Sequence, residues 1–171
     1  TLPGDAILTA DVGSHLHLLG QMWKTHTGGD LIMTNGWSSM GFGIPAAIAS
    51  AINKPDRTIV CVTGDGGFAM SAGEMLTARR NGLRIIVVVL ADGELNLIKL
   101  KEQKRTVSPL AVDLYKNHLF SADSYLGIKV HYADNAEKLT NVLRSALIEK
   151  GPVIIETAID PSAYSHLVVT Q

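Results

Sequence analysis

Apolar and polar residues follow two alternating patterns along this chain of 171 residues. Short runs rich in β-branched residues, which are typical of strands, alternate with longer stretches in which apolar residues recur at helical spacing. The strand-like runs lie at residues 6–11, 31–34, 57–63, 84–90, 125–133 and 152–159. The helical stretches lie at residues 15–23, 41–52, 71–81, about 95–104 and 135–150.

This order of elements predicts the fold class. The run RIIVVVL at 84–90 is apolar without alternation, as in a parallel strand that helices cover on both faces. We therefore predict an α/β fold, a doubly wound, mostly parallel sheet of about six strands with helices on both faces. Residues 1–171 have the size of a single domain. Because the chain begins with Thr and enters a strand almost at once, we expect it to be a fragment of a longer chain.

Composition and charge exclude several classes of function. The net charge is −1 and no concentrated basic face is present, which argues against a nucleic-acid partner. Cys61 is the single cysteine, so a disulfide framework and a cysteine metal cluster are excluded. No apolar run reaches the roughly 20 residues of a membrane helix, and no signal segment leads the chain. We expect no membrane partner and a cytoplasmic location.

The chemistry is expected at the carboxyl ends of the strands, where sheets of this kind bind ligands. Four segments occupy these ends, and all four contain Gly while three contain Asp. They are DVGSH at 11–15, TNGWSSM at 34–40, TGDGGF at 63–68 and LADGE at 90–94.

Two of these strand ends carry an aspartate beside glycine, Asp65 and Asp92. Consecutive glycines let the backbone approach an anion closely, but a carboxylate among them would repel a bare phosphate. A divalent cation resolves the conflict, because Mg²⁺ takes one or two carboxylates together with phosphate oxygens. A tight turn explains either segment alone. Their separation of 27 residues, one strand-helix-strand step, favours a metal–diphosphate site.

A nicotinamide-binding Rossmann domain is the alternative. GFGIPA at 41–46 satisfies G-x-G-x-x-A and opens a helix, and Asp65 follows about 20 residues later, where a ribose-binding acid belongs. Against this, the six residues NGWSSM separate the strand from the first glycine, whereas the fingerprint needs glycine in the turn. The glycines that flank Asp65 would also have no purpose in ribose binding.

The segment GDGGFAMSAGEMLTARRNGLRIIVVVLADGE at 64–94 resembles the cofactor motif of acetolactate synthase-like enzymes, which depend on thiamin diphosphate. That motif begins with Gly-Asp-Gly and ends about one strand-helix-strand unit later in an Asn-Asn pair. Residues 34–66 and 4–15 resemble the same family, so the likeness covers essentially the whole chain. It implies the carboxy-terminal, diphosphate-binding domain of an enzyme that decarboxylates a 2-keto acid and ligates the product to an acceptor.

The resemblance also implies roles for individual residues. The Mg²⁺ ligands would be Asp65, Asp92 and the backbone carbonyl of Glu94. The cofactor contacts would be Gly13, Ser14, His15, Ser38, Met40, Gly64, Gly66, Gly67, Asn96 and Leu97. Met40 matches the bulky residue that holds the cofactor in its bent shape.

Several positions depart from the family's pattern. Ala91-Asp92 replaces the Asn-Asn pair, and the added negative charge should tighten the metal and slightly oppose the diphosphate. Ser14 stands where Gln is usual, and Ser38 and Asn96 stand where Gly is usual. The detailed pyrimidine and diphosphate contacts are therefore less well specified than the metal site.

The resemblance implies that part of the active site lies outside this chain. In the family a glutamate on the pyrimidine-binding domain, of the same or a neighbouring subunit, activates the cofactor. No residue of this chain matches that role, so we expect no catalytic residue here and no turnover by the fragment alone. The expected partners are a 2-keto acid, the pyrimidine-binding domain and further copies in a homo-oligomer. A non-catalytic cofactor-binding module is a second alternative.

Overall fold

A seven-stranded sheet forms the centre of the computed structural model, which describes residues 1–166. Positions 167–171, the end of the expected domain, lie outside the described residues. The strands are β1 (Ile7–Ala10), β2 (Leu31–Met33), β3 (Ile59–Gly64), β4 (Ile85–Ala91), β5 (Ser124–Tyr125), β6 (Ile128–Ala133) and β7 (Val153–Ala158).

The strand order is β2-β1-β3-β4-β7-β6-β5, and every pair is parallel except β5 with β6. The chain leaves β1 for β2 on one side and then returns to place β3 on the other side. The carboxyl ends of β1 and β3 therefore flank a topological switch point, where an α/β sheet opens a crevice for ligands.

Helices cover both faces of the sheet. They are α1 (Ser14–Met22), α2 (Gly43–Asn53), α3 (Asp65–Ser71), α4 (Met75–Arg80), α5 (Asn96–Lys104) and α6 (Ala136–Ala146). Two 3₁₀ turns lie at Ala72–Glu74 and Pro161–His166. Among the described helices, none has both the length and the apolar character needed to cross a bilayer.

Alternate residues of the central strands feed two separate apolar cores. Val87 and Val89 of β4 pack in the core that contains α2, α3 and α4, whereas Ile86 and Val88 pack in the core against α6. This alternation explains why 84–90 is apolar throughout, since both faces of the strand are buried. The predicted doubly wound α/β fold is confirmed.

Two local predictions need correction. The run predicted as one strand at 125–133 is a hairpin, so the sheet has seven strands rather than six. Leu126 and Gly127 both have positive φ, 51° and 71°, the conformation of a two-residue hairpin turn. The segment TGDGGF is also not a loop: α3 begins directly at Asp65, so its glycines lie in the first turn of a helix.

Candidate functional site

A cavity of about 460 Å³ opens at the carboxyl ends of β1, β3 and β4, beside the switch point. Every site residue predicted from the sequence lines it. These are Gly13, Ser14, His15, Ser38, Met40, Gly64, Asp65, Gly66, Gly67, Asp92, Glu94, Asn96 and Leu97. The structure thus brings together residues from four separate strand ends.

Asp65 stands at the end of β3 with its side chain buried, 4% exposed. Its Oδ1 accepts a hydrogen bond from its neighbour Gly66 N at 2.8 Å. Its Oδ2 accepts from Gly93 N at 2.8 Å and Asp92 N at 3.3 Å. The loop after β4 is therefore held directly on the Asp65 carboxylate, which places the two aspartates side by side.

Asp92 turns its own carboxylate toward the start of α5. Its Oδ1 accepts from Glu94 N at 3.1 Å and its Oδ2 from Asn96 Nδ2 at 3.0 Å. Burial, with a further contribution from the nearby charge of Asp65, raises the pKa of Asp92. A cation bound beside Asp92 would act in the opposite direction and lower its pKa.

Glu94 uses its side chain elsewhere. Both carboxylate oxygens lie 2.6 Å from Lys99 Nζ, one turn along α5. Within residues 1–166 no hydrogen bond reaches the Glu94 carbonyl oxygen, which leaves that atom available, as the prediction for this residue requires.

The oxygen atoms of Asp65, Asp92 and Glu94 suit a hard cation whose remaining ligands come from a bound phosphate. Within the described residues, no group of three or more His, Cys, Asp and Glu side chains is arranged to hold a metal. A site for zinc or another metal held by protein side chains alone is therefore not present there. Two neighbouring carboxylates and one carbonyl oxygen match the way Mg²⁺ is held beside phosphates.

Two buried polar atoms on the cavity wall have no hydrogen-bonding partner: Ser14 Oγ and His15 Nε2. Burial lowers the pKa of His15, although the Asp11 carboxylate opposes this effect. The imidazole is therefore neutral and its Nε2 can donate or accept. Because unpartnered buried polar atoms are costly, a polar ligand that reached these two atoms would be favoured in this cavity.

The absence of a side chain at two glycines of α3 matters for two different reasons. A Cβ on Gly66 would lie 2.6 Å from Leu95 Cδ2 and 3.1 Å from Met40 Cε, so the absence of a side chain widens the cavity. A Cβ on Gly67 would lie 2.8 Å from Thr63 Oγ1 and 3.0 Å from the Asp11 carboxyl, inside the packed core. Gly66 thus shapes the cavity, and Gly67 permits close packing.

Asp11 is a buried acid that the sequence reasoning left without a role. Its carboxylate accepts hydrogen bonds from the backbone of Val12, Gly41 and Gly43 at 2.6–3.1 Å. These contacts join the end of β1 to the loop before α2. Asp11 thereby positions Met40 at the cavity wall. The signal that the sequence offered for Asp11 was its position at the end of a strand, two residues before Gly13.

Two tyrosines near the carboxylates were also missed. Tyr115 Oη donates to Asp65 Oδ2 at 2.7 Å. Tyr164, in the 3₁₀ turn Pro161–His166, lines the cavity, and burial together with the charges of Asp92 and Asp65 raises its pKa to about 12. Both residues lie in irregular segments without a periodic pattern, so the sequence offered no signal for either.

Ser38 lies in the loop 34–40 with a φ of 50°, in the left-handed region that glycine adopts most easily. A serine here is strained, at a position where the resembled family usually has glycine. Ser38 nevertheless lines the cavity.

The fold and the cavity together define a doubly wound α/β domain with paired carboxylates at its switch point, suited to a metal-bridged diphosphate. The chain belongs to the family of thiamine pyrophosphate enzymes, as their C-terminal TPP-binding domain, and the family model matches residues 11–157. Thiamine pyrophosphate is another name for thiamin diphosphate, so the family resemblance of the sequence is confirmed.

Several proteins similar to this chain are acetolactate synthases. The large subunit of Lactococcus lactis subsp. lactis (strain IL1403) is 32% identical over 166 residues, which cover 94% of this chain and 28% of the relative. The probable large subunit of Methanococcus aeolicus is 30% identical over 171 residues, 96% of this chain and 28% of the relative. The isozyme 2 large subunit of Escherichia coli (strain K12) is 30% identical over 166 residues, 92% and 29%. The chain thus spans a little over a quarter of the length of these relatives.

The Rossmann dehydrogenase alternative finds no support. Within residues 1–166, no residue of GFGIPA at 41–46 lines the cavity. A Cβ on Gly43 would lie 3.0 Å from Cys61 Sγ and 3.1 Å from Asp11 Cβ, so this glycine serves helix–sheet packing. The motif-like spacing arises from packing and not from dinucleotide binding.

Proposed function

We propose that this chain is the Mg²⁺- and diphosphate-binding domain of a thiamin-diphosphate enzyme that acts on 2-keto acids in the manner of acetolactate synthases. One observation carries the proposal: the Asp65 carboxylate accepts hydrogen bonds from the backbone N–H groups of Asp92 and Gly93, which holds the loop that carries Asp92 beside Asp65 at the carboxyl edge of the sheet. Family membership and the acetolactate synthase relatives support the same activity.

The metal ligands would be Asp65 and Asp92 through their carboxylates and Glu94 through its carbonyl oxygen. These oxygens offset the positive charge of Mg²⁺ while leaving coordination positions for the two phosphates. Gly64 and Gly66 would keep the approach to the metal free of side chains, and Gly67 would contribute through its backbone. When bound, thiamin diphosphate supplies the carbanion chemistry.

Other residues would orient the cofactor. Ser14 and His15 would offer their unpartnered polar atoms to the diphosphate, together with the backbone of Gly13. Met40 and Ser38 would contact the thiazolium and pyrimidine parts, and Asn96 and Leu97 would close the wall at the start of α5. These roles agree with the positions of the residues around the cavity.

The proposal includes a part of the protein outside this chain. A pyrimidine-binding domain, from the same or a neighbouring subunit, would supply the activating glutamate, so residues 1–171 would form a single domain of a longer chain and carry no catalytic residue. Assembly as a homo-oligomer and a cytoplasmic location stay predictions. Steady product formation from pyruvate by the 171-residue chain alone would contradict this division of roles.

The cofactor assignment is tested by thermal unfolding of the purified protein. We expect thiamin diphosphate to raise the melting temperature only when Mg²⁺ is present, because a ligand that binds only the folded state stabilises it. NAD without metal serves as the comparison. Stabilisation by NAD alone, or by thiamin diphosphate in excess EDTA, would contradict the proposal.

The metal assignment is tested by Asp65→Ala. The variant should lose Mg²⁺-dependent cofactor stabilisation and still fold, since Asp65 bonds only to loop backbone, its own helix and Tyr115. Asp56→Ala, an exposed aspartate in the turn before β3, is the matched control. Calorimetry that finds equal cofactor affinity in both variants would refute the metal site.

A further inference from the structure

One irregular segment, residues 112–120, contacts the loop that carries Asp92. Leu95 N donates to Val112 O at 2.8 Å, and Leu114 N donates to Gly93 O at 2.8 Å. Residues 94 and 113 thereby pair as an isolated antiparallel bridge. We call residues 112–120 the strap.

The far end of the strap is anchored in the sheet. Glu156 of β7 is buried, 3% exposed, and accepts hydrogen bonds from Leu119 N at 2.9 Å and Phe120 N at 3.3 Å. The Phe120 ring packs edge-on against Phe68 of α3, with centroids 5.1 Å apart. The strap is therefore held at both ends by contacts that do not involve the Tyr115 side chain.

Tyr115 lies between these anchors, and its hydroxyl donates to Asp65 Oδ2 at 2.7 Å. With Gly93 N and Asp92 N, this oxygen receives three donors, which saturate it. Oδ1 receives only Gly66 N and keeps a lone pair free. Oδ1 is therefore the oxygen left to face a cation, and the Tyr115 hydroxyl adds a third hydrogen bond that holds Oδ2 in place.

We propose that Tyr115 is a positioning residue that tunes metal affinity by orienting the Asp65 carboxylate, an inference that rests on the proposed function. Hydrogen bonds to a ligating carboxylate hold it in one orientation, and loss of such a partner typically weakens metal binding about 10- to 100-fold. The strap thereby links the hydrogen bond between Tyr115 and Asp65 to Glu156 of β7, which anchors the far end of the strap.

The test compares Tyr115→Phe with Tyr125→Phe in the purified protein. Tyr125 packs against Phe68 and Phe120, so its variant makes the same chemical change near the strap but away from Asp65. Mg²⁺ is titrated at saturating thiamin diphosphate, and melting temperature is the readout. We expect the Mg²⁺ concentration for half-maximal stabilisation to rise about tenfold in Tyr115→Phe. We expect no change in that concentration for Tyr125→Phe, and unchanged metal-free melting for both variants.

Equal half-saturation in Tyr115→Phe and the unsubstituted protein would overturn the inference. So would a rise that Tyr125→Phe shares, since the effect would then belong to packing. If the unsubstituted protein shows no Mg²⁺-dependent stabilisation at all, the proposed function fails instead, which separates the two claims.

A spectroscopic measurement keeps the inference testable if Tyr115→Phe folds poorly. The chain has four tyrosines, so 3-fluorotyrosine labelling gives four ¹⁹F resonances. Phenylalanine variants of Tyr125, Tyr132 and Tyr164 assign three of them, and the fourth belongs to Tyr115. Addition of Mg²⁺ with thiamin diphosphate should shift the Tyr115 resonance and leave those of Tyr125 and Tyr132 in place. A Tyr115 resonance that does not respond to saturating metal would overturn the inference.

Discussion

Buried carboxylates at the two edges of the sheet differ in their partners and in the size of the neighbouring cavity. At the amino edge, Asp30 lies 2.5 Å from Arg57 Nη2 and also accepts from the amide and hydroxyl of Thr27. The cavity beside that edge holds only about 40 Å³. At the carboxyl edge, Asp65 and Asp92 adjoin a cavity of about 460 Å³. Within residues 1–166, neither of these two forms an ion pair with Lys or Arg.

The difference separates an acid that is compensated by an arginine of the fold from acids that we propose to be metal ligands. A buried carboxylate needs compensation, which Arg57 supplies at the amino edge. In the part of the chain that the structure describes, Asp65 and Asp92 have hydrogen-bond donors but no Lys or Arg partner, and the charge of Asp65 contributes to raising the pKa of Asp92. A divalent cation would supply the compensating positive charge that Arg57 supplies at the amino edge.

The largest effect is expected for Asp11→Ala. Asp11 is a carboxyl-edge acid whose oxygens are already occupied by the backbone of Val12, Gly41 and Gly43. Removal leaves buried N–H donors without partners, so we expect a loss of about 3 kcal/mol in unfolding free energy, measured by urea denaturation. Asp65→Ala also leaves donors without a partner, but it removes a buried charge that repels Asp92, so we expect a smaller loss. Equal losses in the two variants would erase the distinction between the structural and the ligand-binding acid.

An intermediate effect distinguishes neighbouring glycines of α3. Gly67→Ala should destabilise the fold by about 2 kcal/mol, because the new methyl meets the Asp11 carboxyl and Thr63. Gly66→Ala meets the ends of flexible side chains, so its stability should change little while cofactor binding weakens. Denaturation and cofactor titration on both variants provide the measurement. A cofactor affinity in Gly66→Ala equal to that of the unsubstituted protein would show that this methyl leaves the cavity open.

The smallest effect is expected at the amino edge and depends on pH. Arg57, followed by Thr27, holds the pKa of Asp30 well below its ordinary value of 3.8. Because the pKa is lower in the folded state, Asp30 stabilises the fold fully above about pH 4, and this contribution is lost as the pH falls further. Asp30→Asn should therefore be less stable than the unsubstituted protein at pH 7.

The difference in unfolding free energy between Asp30→Asn and the unsubstituted protein should shrink as the pH falls below about 4. Urea denaturation at several pH values would measure this difference. Taking the difference removes the contributions of the other carboxylates. A difference that stays constant down to pH 3 would show that the ion pair with Arg57 contributes nothing measurable.

Local patterns predicted most of the fold. The buried strand 84–90 corresponds to β4 at Ile85–Ala91, since a long apolar run has few other stable arrangements. The hairpin at 124–133 was missed because a Leu-Gly turn inside an apolar run interrupts no hydrophobic pattern. The start of α3 at Asp65 was missed because glycine has low helix propensity, which tertiary packing against Asp11 and Thr63 overrides.

The sequence by itself determined the fold class, the edge of the sheet that bears the chemistry and the pairing of Asp65 with Asp92. Strand periodicity and one strand-helix-strand spacing are local properties, and parallel strands bring their ends to one edge. Only the tertiary structure decided which oxygen of Asp65 remains open, because Oδ2 accepts from the loop after β4 and from Tyr115, 50 residues further along the chain. Contacts of this kind arise from closure of an irregular segment onto the sheet, and no periodic pattern encodes them.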